Sequence, residues 1–305
     1  MAASSKKVIY AALIGNSLIA VTKFVASAVT GSSAMLSEGI HSLVDTGNQI
    51  LLLLGLKRST KPPDAQYPFG HGKEIYFWSF VVAIMIFAVG AGISIYEGIH
   101  SLLDPQSIES PGVNYIVLGL AMIFEGFAWY FAWKAFDQQR GQRGYFEAVR
   151  KEKDPTTFVV LFEDSAAMAG LVIAFVGILL GQLTGNYMYD GIASVLIGVI
   201  LGLTAAWLAY ETKGLLIGES ANKEIKNGIE ELAESYDQIN TVIEALTLHM
   251  GPEFILVTLN VDFKDHLKAG TVEQTIEVLA KQIKQKYPRV KRVFVEAEEL
   301  RSSDE

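Results

Sequence analysis

The sequence contains no cysteine in its 305 residues. Structural disulfides and thiolate metal sites are therefore excluded, and any bound metal must be held by His, Asp, Glu, Asn, carbonyls or water. Charge is also sparse. Asp, Glu, Lys and Arg make up 19% of the residues against 50% hydrophobic ones, and the mean hydropathy is +0.31. So few charges in the first two-thirds of the chain argue against an ordinary soluble enzyme. The net charge of −8 comes mostly from the C-terminal third and argues against nucleic acid as a partner. The opening MAASSKKVIY lacks a cleavable signal pattern, and its apolar run continues as a full span.

What is present is a set of six apolar segments, at residues 8–30, 33–56, 75–103, 113–136, 157–180 and 187–210. Each is long enough to cross a bilayer core of roughly 30 Å. Basic residues are missing from every second connection: 31–32, 104–112 and 181–186 contain no Lys or Arg. The other connections, with their flanks, hold Lys57, Arg58, Lys61 and Lys73, then Lys134, Arg140, Arg143, Arg150, Lys151 and Lys153. The positive-inside rule then predicts six transmembrane helices with both termini cytoplasmic. After Glu211 the composition turns charged and soluble. Residues 222–236 and 271–287 read as amphipathic helices, and 242–248, 255–263 and 290–297 as strands around a Gly251-Pro252 turn. The expectation is a membrane domain over 1–212 and a cytoplasmic α+β (αββαβ) domain over 213–305, small enough to favour support from a partner copy.

The second segment, SAMLSEGIHSLVDTGNQILLLLGL, carries His41 and Asp45. At a spacing of four they share one helix face about one turn apart. An acid in mid-membrane costs at least ~2.5–3.5 kcal/mol on insertion scales, so it is a functional hypothesis by default. An imidazole beside a carboxylate suits a first-row divalent cation. The fifth segment adds Glu163 and Asp164. Adjacent helical residues point ~100° apart, so one can be a ligand while the other pairs or carries a proton. A tetrahedral site needs about four donors. His41, Asp45 and Asp164 give three, and Glu163 or a water the fourth. The competing reading is an interhelical hydrogen-bond knot. Asn48 reads as interhelical glue, and Glu125 as a proton relay or as the partner of Lys23.

Three weaker groups remain. In KPPDAQYPFGHGKEIYFWSF, Asp64 and His71 could meet a metal at the cytoplasmic surface, or could belong to a turn built by its prolines and glycines. In the tail, His249, Glu296 and Glu298 form a possible cluster or a solvated face. EGIHSLVDT at 38–46 recurs as EGIHSLLDP at 97–105, which raises a weak exit-side contact through His100 and Asp104.

Three motifs give the chain a resemblance to the cation diffusion facilitator family. SEGIHSLVDT resembles its second-span motif, PFGHGKEIYFWS the signature after that span, and DGIASVLIGVILG its sixth span, which begins with an acid, here Asp190. The resemblance covers nearly the whole chain. It implies a metallochaperone-like tail and a homodimer in a lipid bilayer that exports divalent metal in exchange for protons, with His41 and Asp45 as second-span ligands and Asp164 on the fifth. The family's His one turn before Asp164 falls on Val160, which leaves Glu163 as its substitute. That is similar to the divergent branch containing the mitochondrial zinc transporter. A carboxylate in place of an imidazole makes the site harder, so Zn2+ is joined by Mn2+ and Fe2+ as substrates to be weighed. Thr258 stands where a bridging His is common, and Glu296 and Glu298 replace a His/Asp pair, so a dinuclear site in the tail is not expected. The resemblance also implies a charge interlock near the membrane surface, with Lys73 as its basic member and Glu219 as the nearest acid.

The expected mechanism is alternating access, with protons competing for the metal ligands. A membrane-anchored metal sensor and a passive cation channel are the alternatives; a catalytic role finds no substrate-sized polar pocket. A short N-terminus without an Arg-rich transit peptide fits a bacterial inner membrane.

Overall fold

A computed structural model describes residues 2–107, 110–140, 142, 144–145, 148–149 and 155–299. Among the described residues, six long helices come first: α1 (Ala2–Thr30), α2 (Ser33–Ser59), α3 (Glu74–Leu103), α4 (Pro111–Arg140), α5 (Pro155–Thr184) and α6 (Met188–Ile217). A smaller unit follows: α7 (Lys223–Glu234), β1 (Ile239–Gly251), β2 (Phe254–Phe263), α8 (Ala269–Lys286) and β3 (Val290–Ala297). Of the basic residues read as a cytoplasmic loop, Arg143, Arg150, Lys151 and Lys153 lie outside the described residues.

Among the described residues, four helices are long and apolar enough to cross a membrane: α3, α5, α6 and the Pro111–Gln138 part of α4, with Asn16–Thr30 a shorter apolar stretch. In α2, Ser37, Glu38, His41, Ser42, Asp45 and Asn48 lower the hydropathy, and all six are buried in the bundle. The apolar residues of α1 and α4 instead face outward, as at Val21, Val25, Ile116, Ile123 and Phe127. This is the inside-out pattern of a helix bundle in lipid: polar groups meet one another inside, where an unpaired one would be costly, and aliphatic groups cover the outside.

The α1–α2 connection is two residues long. Gly31 adopts φ +70°, and its N–H donates to the Ser27 carbonyl at 2.8 Å, a left-handed helix stop. Ser32 then caps α2 by accepting from the Met35 N–H at 3.2 Å. Asp190, in the first turn of α6, accepts from the Ser33 N–H (2.6 Å), the Ser32 hydroxyl (2.6 Å) and the Ser33 hydroxyl (2.9 Å). Its negative charge therefore lies on the positive end of α2. Helices α3 and α6 touch backbone to backbone. A Cβ at Gly98 would collide with the Val195 N–H region and one at Gly198 with that of Ile95. α3 itself is interrupted by a π-helical segment, Ile86–Ala91.

In the C-terminal unit the strand order is β1-β2-β3, with β1 and β2 antiparallel and β2 and β3 parallel. Ile255, Val257, Leu259 and Val261 alternate inward from β2 and meet Ile229, Ala233, Leu279 and Ile283 of the two helices. The sheet thus has one covered face and one open face. The strand expected over 242–248 begins three residues earlier and runs three residues later.

Candidate functional site

The polar level of the bundle is built mainly by α2, whose exact helical spacing sets it out as a ladder. Asp190 caps its first residue. One turn on, the Ser37 hydroxyl bonds that of Ser194, which also donates to the Ser94 carbonyl at 2.9 Å. Next comes Glu38, paired with Lys23 of α1 at 3.0 Å, with both side chains fully buried. The same ammonium donates to the Ser42 hydroxyl at 2.7 Å. His41 and Asp45 follow, with Nδ1 and Oδ1 3.3 Å apart. Last is Asn48, which donates from Nδ2 to Glu163 Oε1 of α5 at 2.6 Å. Glu163 is an electrostatic neighbour of Asp45.

His41 and Asp45 are therefore brought together, and Asn48 holds Glu163 beside them as an electrostatic neighbour of Asp45. His41 is 1% exposed, and neither ring nitrogen has a hydrogen-bond partner; the same holds for Asp45 Oδ1. Buried polar atoms are rarely left so, and each such atom calls for an explanation. Asp164, the next residue on α5, is only half-buried and is an electrostatic neighbour of Asp45 rather than a hydrogen-bond partner. Glu125 of α4 is buried and lies within electrostatic range of Glu38, Asp45, Glu163 and Asp164. Among the described residues, no three His, Asp or Glu side chains converge as a finished metal cage. Asn48 occupies Glu163 Oε1, and Asp164 follows ~100° around α5.

The partner of Lys23 is Glu38, not Glu125. Both choices put an acid beside a buried ammonium, but only Glu38 shares the rotation of α2 that faces α1. Ser42 was also missed as part of this group; its place one turn after Glu38 was the available signal.

At the other end of α2, His71 Nε2 and Asp64 Oδ2 are 2.9 Å apart. Asp64 also accepts from the Tyr67 and Gln66 N–H groups at 2.7 and 2.9 Å, and the Tyr67 ring rests on His71, with centroids 4.5 Å apart. The two sequence readings of this loop meet in one place: the pair exists, and it belongs to a side-chain-closed turn. The His71 hydrogen bond, then those from the Tyr67 and Gln66 amides, hold the Asp64 carboxyl below the usual carboxylate range.

Lys73 sits at the end of α6, with its ammonium 3.5 Å from the Leu216 and Ile217 carbonyl oxygens. It thereby satisfies the negative end of that helix. The Glu219 carboxyl folds back onto Gly214, and its own carbonyl accepts from the His249 N–H at 3.0 Å.

The tail cluster does not assemble within the chain. His249 is on the covered face and pairs with Ile255, which in turn pairs with Val290. Glu296 is on the open face beside Asn260, six residues along β3 from Val290. At ~3.3 Å per residue that is about 20 Å. Glu298 is exposed and accepts from Asn260 Nδ2 at 2.8 Å. His100 and Asp104 are both exposed, and their hydrogen bond joins backbone groups at the end of α3.

Residues 9–217 match the cation efflux transmembrane domain. The chain is 35% identical over 283 residues to a mitochondrial proton-coupled zinc antiporter of Xenopus laevis, covering 92% of this chain and 51% of that protein. It is 35% identical over 259 residues to the protein of that name in Homo sapiens, covering 84% and 46%. With a cation-efflux pump of Escherichia coli O139:H28 it shares 26% over 267 residues, covering 85% and 84%. The chain spans about half the length of the mitochondrial relatives it matches.

Proposed function

Because the chain belongs to the cation efflux family, we propose that it is a divalent metal–proton antiporter whose transport site is His41, Asp45 and Glu163. The observation that carries this reading is the buried set of unpartnered ligand atoms, His41 Nδ1 and Nε2 and Asp45 Oδ1, beside a second carboxyl. These are donors of the right type for a first-row divalent cation. A carboxyl must give up any proton it carries before it can hold a metal. A dication arriving at Asp45 and Glu163 displaces that proton, and a returning proton displaces the dication. Metal and proton therefore compete for the same oxygens, which is the elementary requirement of an antiporter. Asp164, ~100° further around α5, joins as a further ligand or takes the proton that Glu163 releases, once the helices move between inward- and outward-facing arrangements.

All six long helices cross the bilayer in this reading. α2 has 27 residues, about 40 Å at ~1.5 Å per residue, which is ample for the hydrocarbon core, and its polar groups are turned inward. The termini are cytoplasmic and the ion leaves the cytoplasm. The membrane is a bacterial inner membrane or its organellar counterpart. The transporter works as a homodimer, supported by the open face of the tail sheet, where Leu246, Thr258 and Phe294 lie in one row across the strands and Leu246 and Phe294 are exposed. Zn2+ is the leading substrate because relatives are named as zinc antiporters; Mn2+ and Fe2+ are the competitors that a carboxylate-rich site admits.

The test is metal uptake into proteoliposomes under an imposed pH gradient, with Zn2+, Mn2+ and Fe2+ compared. Saturable uptake that follows the opposing proton gradient is the expected result. Uptake indifferent to that gradient would sink the antiporter and favour a channel.

A further inference from the structure

We propose that Lys23 is a tethered cation that closes the transport site on the side of the α2 N-terminus, barring a divalent ion from leaving that way until the helices rearrange. This rests on the reading of the His41–Asp45–Glu163 level as the transport site.

The argument is one of position. The Lys23 ammonium bridges Glu38 and Ser42, the residues on either side of His41 along α2. It is an electrostatic neighbour of the His41 ring. Asp45 and Asn48, the residues that face Glu163, lie one to two turns further toward the α2 C-terminus. Lys23 and Glu38 side chains are 0% exposed. Asp45, with its side chain 12% exposed, is more open than His41 at 1%, and Asn48 beyond it is again 1% exposed. The Lys23 side of the level is therefore sealed, and Asp45 is its most exposed member among His41, Asp45, Asn48 and Glu163.

A plug of this kind needs a charge, not only bulk. A dication pressed against a fixed ammonium in a low-dielectric interior is strongly repelled, whereas an apolar side chain of the same size would merely be displaced. Glu38 makes the buried ammonium tolerable, because removing either partner would leave an uncompensated charge. The carboxylate has been given room: a Cβ at Gly170 of α5 would run into Glu38 Oε1. The pair therefore stands where α1, α2 and α5 meet. Beyond it, toward the α2 N-terminus, the described residues place the Ser37–Ser194 hydroxyl pair, the Thr30–Asn114 hydrogen bond and Asp190, whose oxygens already hold the Ser32 and Ser33 groups. An ion that passed Lys23 would meet Asp190 already occupied by Ser32 and Ser33.

The experiment uses the full chain in proteoliposomes loaded with a zinc dye and a pH dye, so that protons moved per zinc ion are read directly. Two neutral pairs are made, Lys23→Met with Glu38→Gln and Lys23→Gln with Glu38→Gln, so that failure of one to fold leaves the other. Lys23→Arg keeps the charge. In a folded neutral pair, downhill zinc flux with no accompanying protons should rise about tenfold or more over wild type, while Lys23→Arg stays coupled. A purely structural ion pair would lower flux and leave the proton-to-zinc ratio unchanged; that result in either folded pair overturns the proposal. If wild type itself moves zinc without protons, the transport-site reading fails, and the closure built on it falls with it.

Discussion

The bundle and the tail each carry histidine with acids nearby, and the two regions treat them in opposite ways. On α2 the polar residues are buried, so their neighbours are forced: Lys23 has Glu38, Asn48 has Glu163, and Asp45 stands 3.3 Å from His41 with no hydrogen bond between them. In the tail, Glu296 and Glu298 are exposed and His249 is on the other face of the sheet. Water can satisfy a surface acid at almost no cost, so its place carries little information. A carboxyl inside a membrane bundle has no such option. The lesson is that chemistry in this chain is to be looked for where solvent cannot answer for the polar group.

The contrast can be broken most sharply at Asp45. Asp45→Ala removes a ligand from the enclosed level, and gradient-driven metal uptake should fall by about 100-fold or more, beyond the loss typical of a ligand's supporting partner. Glu38→Ala strands the Lys23 ammonium in the bundle and should lower unfolding stability in detergent by about 3–5 kcal/mol. The Lys23→Met, Glu38→Gln pair should recover most of that loss; if it does not, the ion pair is not the cause. Asn48→Ala frees Glu163 from its tether and should weaken metal affinity by about 10–100-fold, measured by titration of the purified protein. Gly170→Ala sets a methyl group against Glu38 and should cost about 1–3 kcal/mol by overpacking.

The surface groups should give the smallest effects. Glu296→Ala and Glu298→Ala should each change tail stability by within about ±0.5 kcal/mol and leave uptake alone. A loss of metal flux in either would show that the exposed face takes part after all. Asp64 sharpens the comparison through pH. Its folded pKa is depressed, chiefly by the His71 hydrogen bond. The stabilisation is therefore present above the unfolded value of ~3.9 and is lost as pH falls through the lower folded value. In Asp64→Asn the acid-side change in the NMR signals of this turn should disappear.

Much of the fold could be read because hydrophobic length and loop charge are one-dimensional signals. The apolar segments, the change after Glu211 and the strand alternation at Ile255–Val261 all follow from short-range pattern. His41 and Asp45 were legible for the same reason: a spacing of four is a statement about one helix. What failed to be legible needed the rotation of one element against another. Lys23 could reach an acid on α2 or on α4, and only the packing of α1 against α2 decides for Glu38. Glu163 and Asp164 are neighbours in sequence, and which of them meets Asn48 depends on how α5 is turned. In the tail, the parallel pairing of β2 with β3 sets Val290 beside Ile255, which carries Glu296 to the far end from His249. No periodicity encodes that register. The role of Asp190 as a cap on α2 was hidden likewise, since 157 positions separate it from Ser33.

The most direct measurement is zinc uptake into proteoliposomes under an imposed pH gradient, run side by side for wild type and Asp45→Ala, with protein folding checked in both. Uptake that tracks the gradient in wild type and vanishes in the folded variant is the expected result. Undiminished uptake in Asp45→Ala would place the transport site elsewhere in the bundle and contradict the central claim.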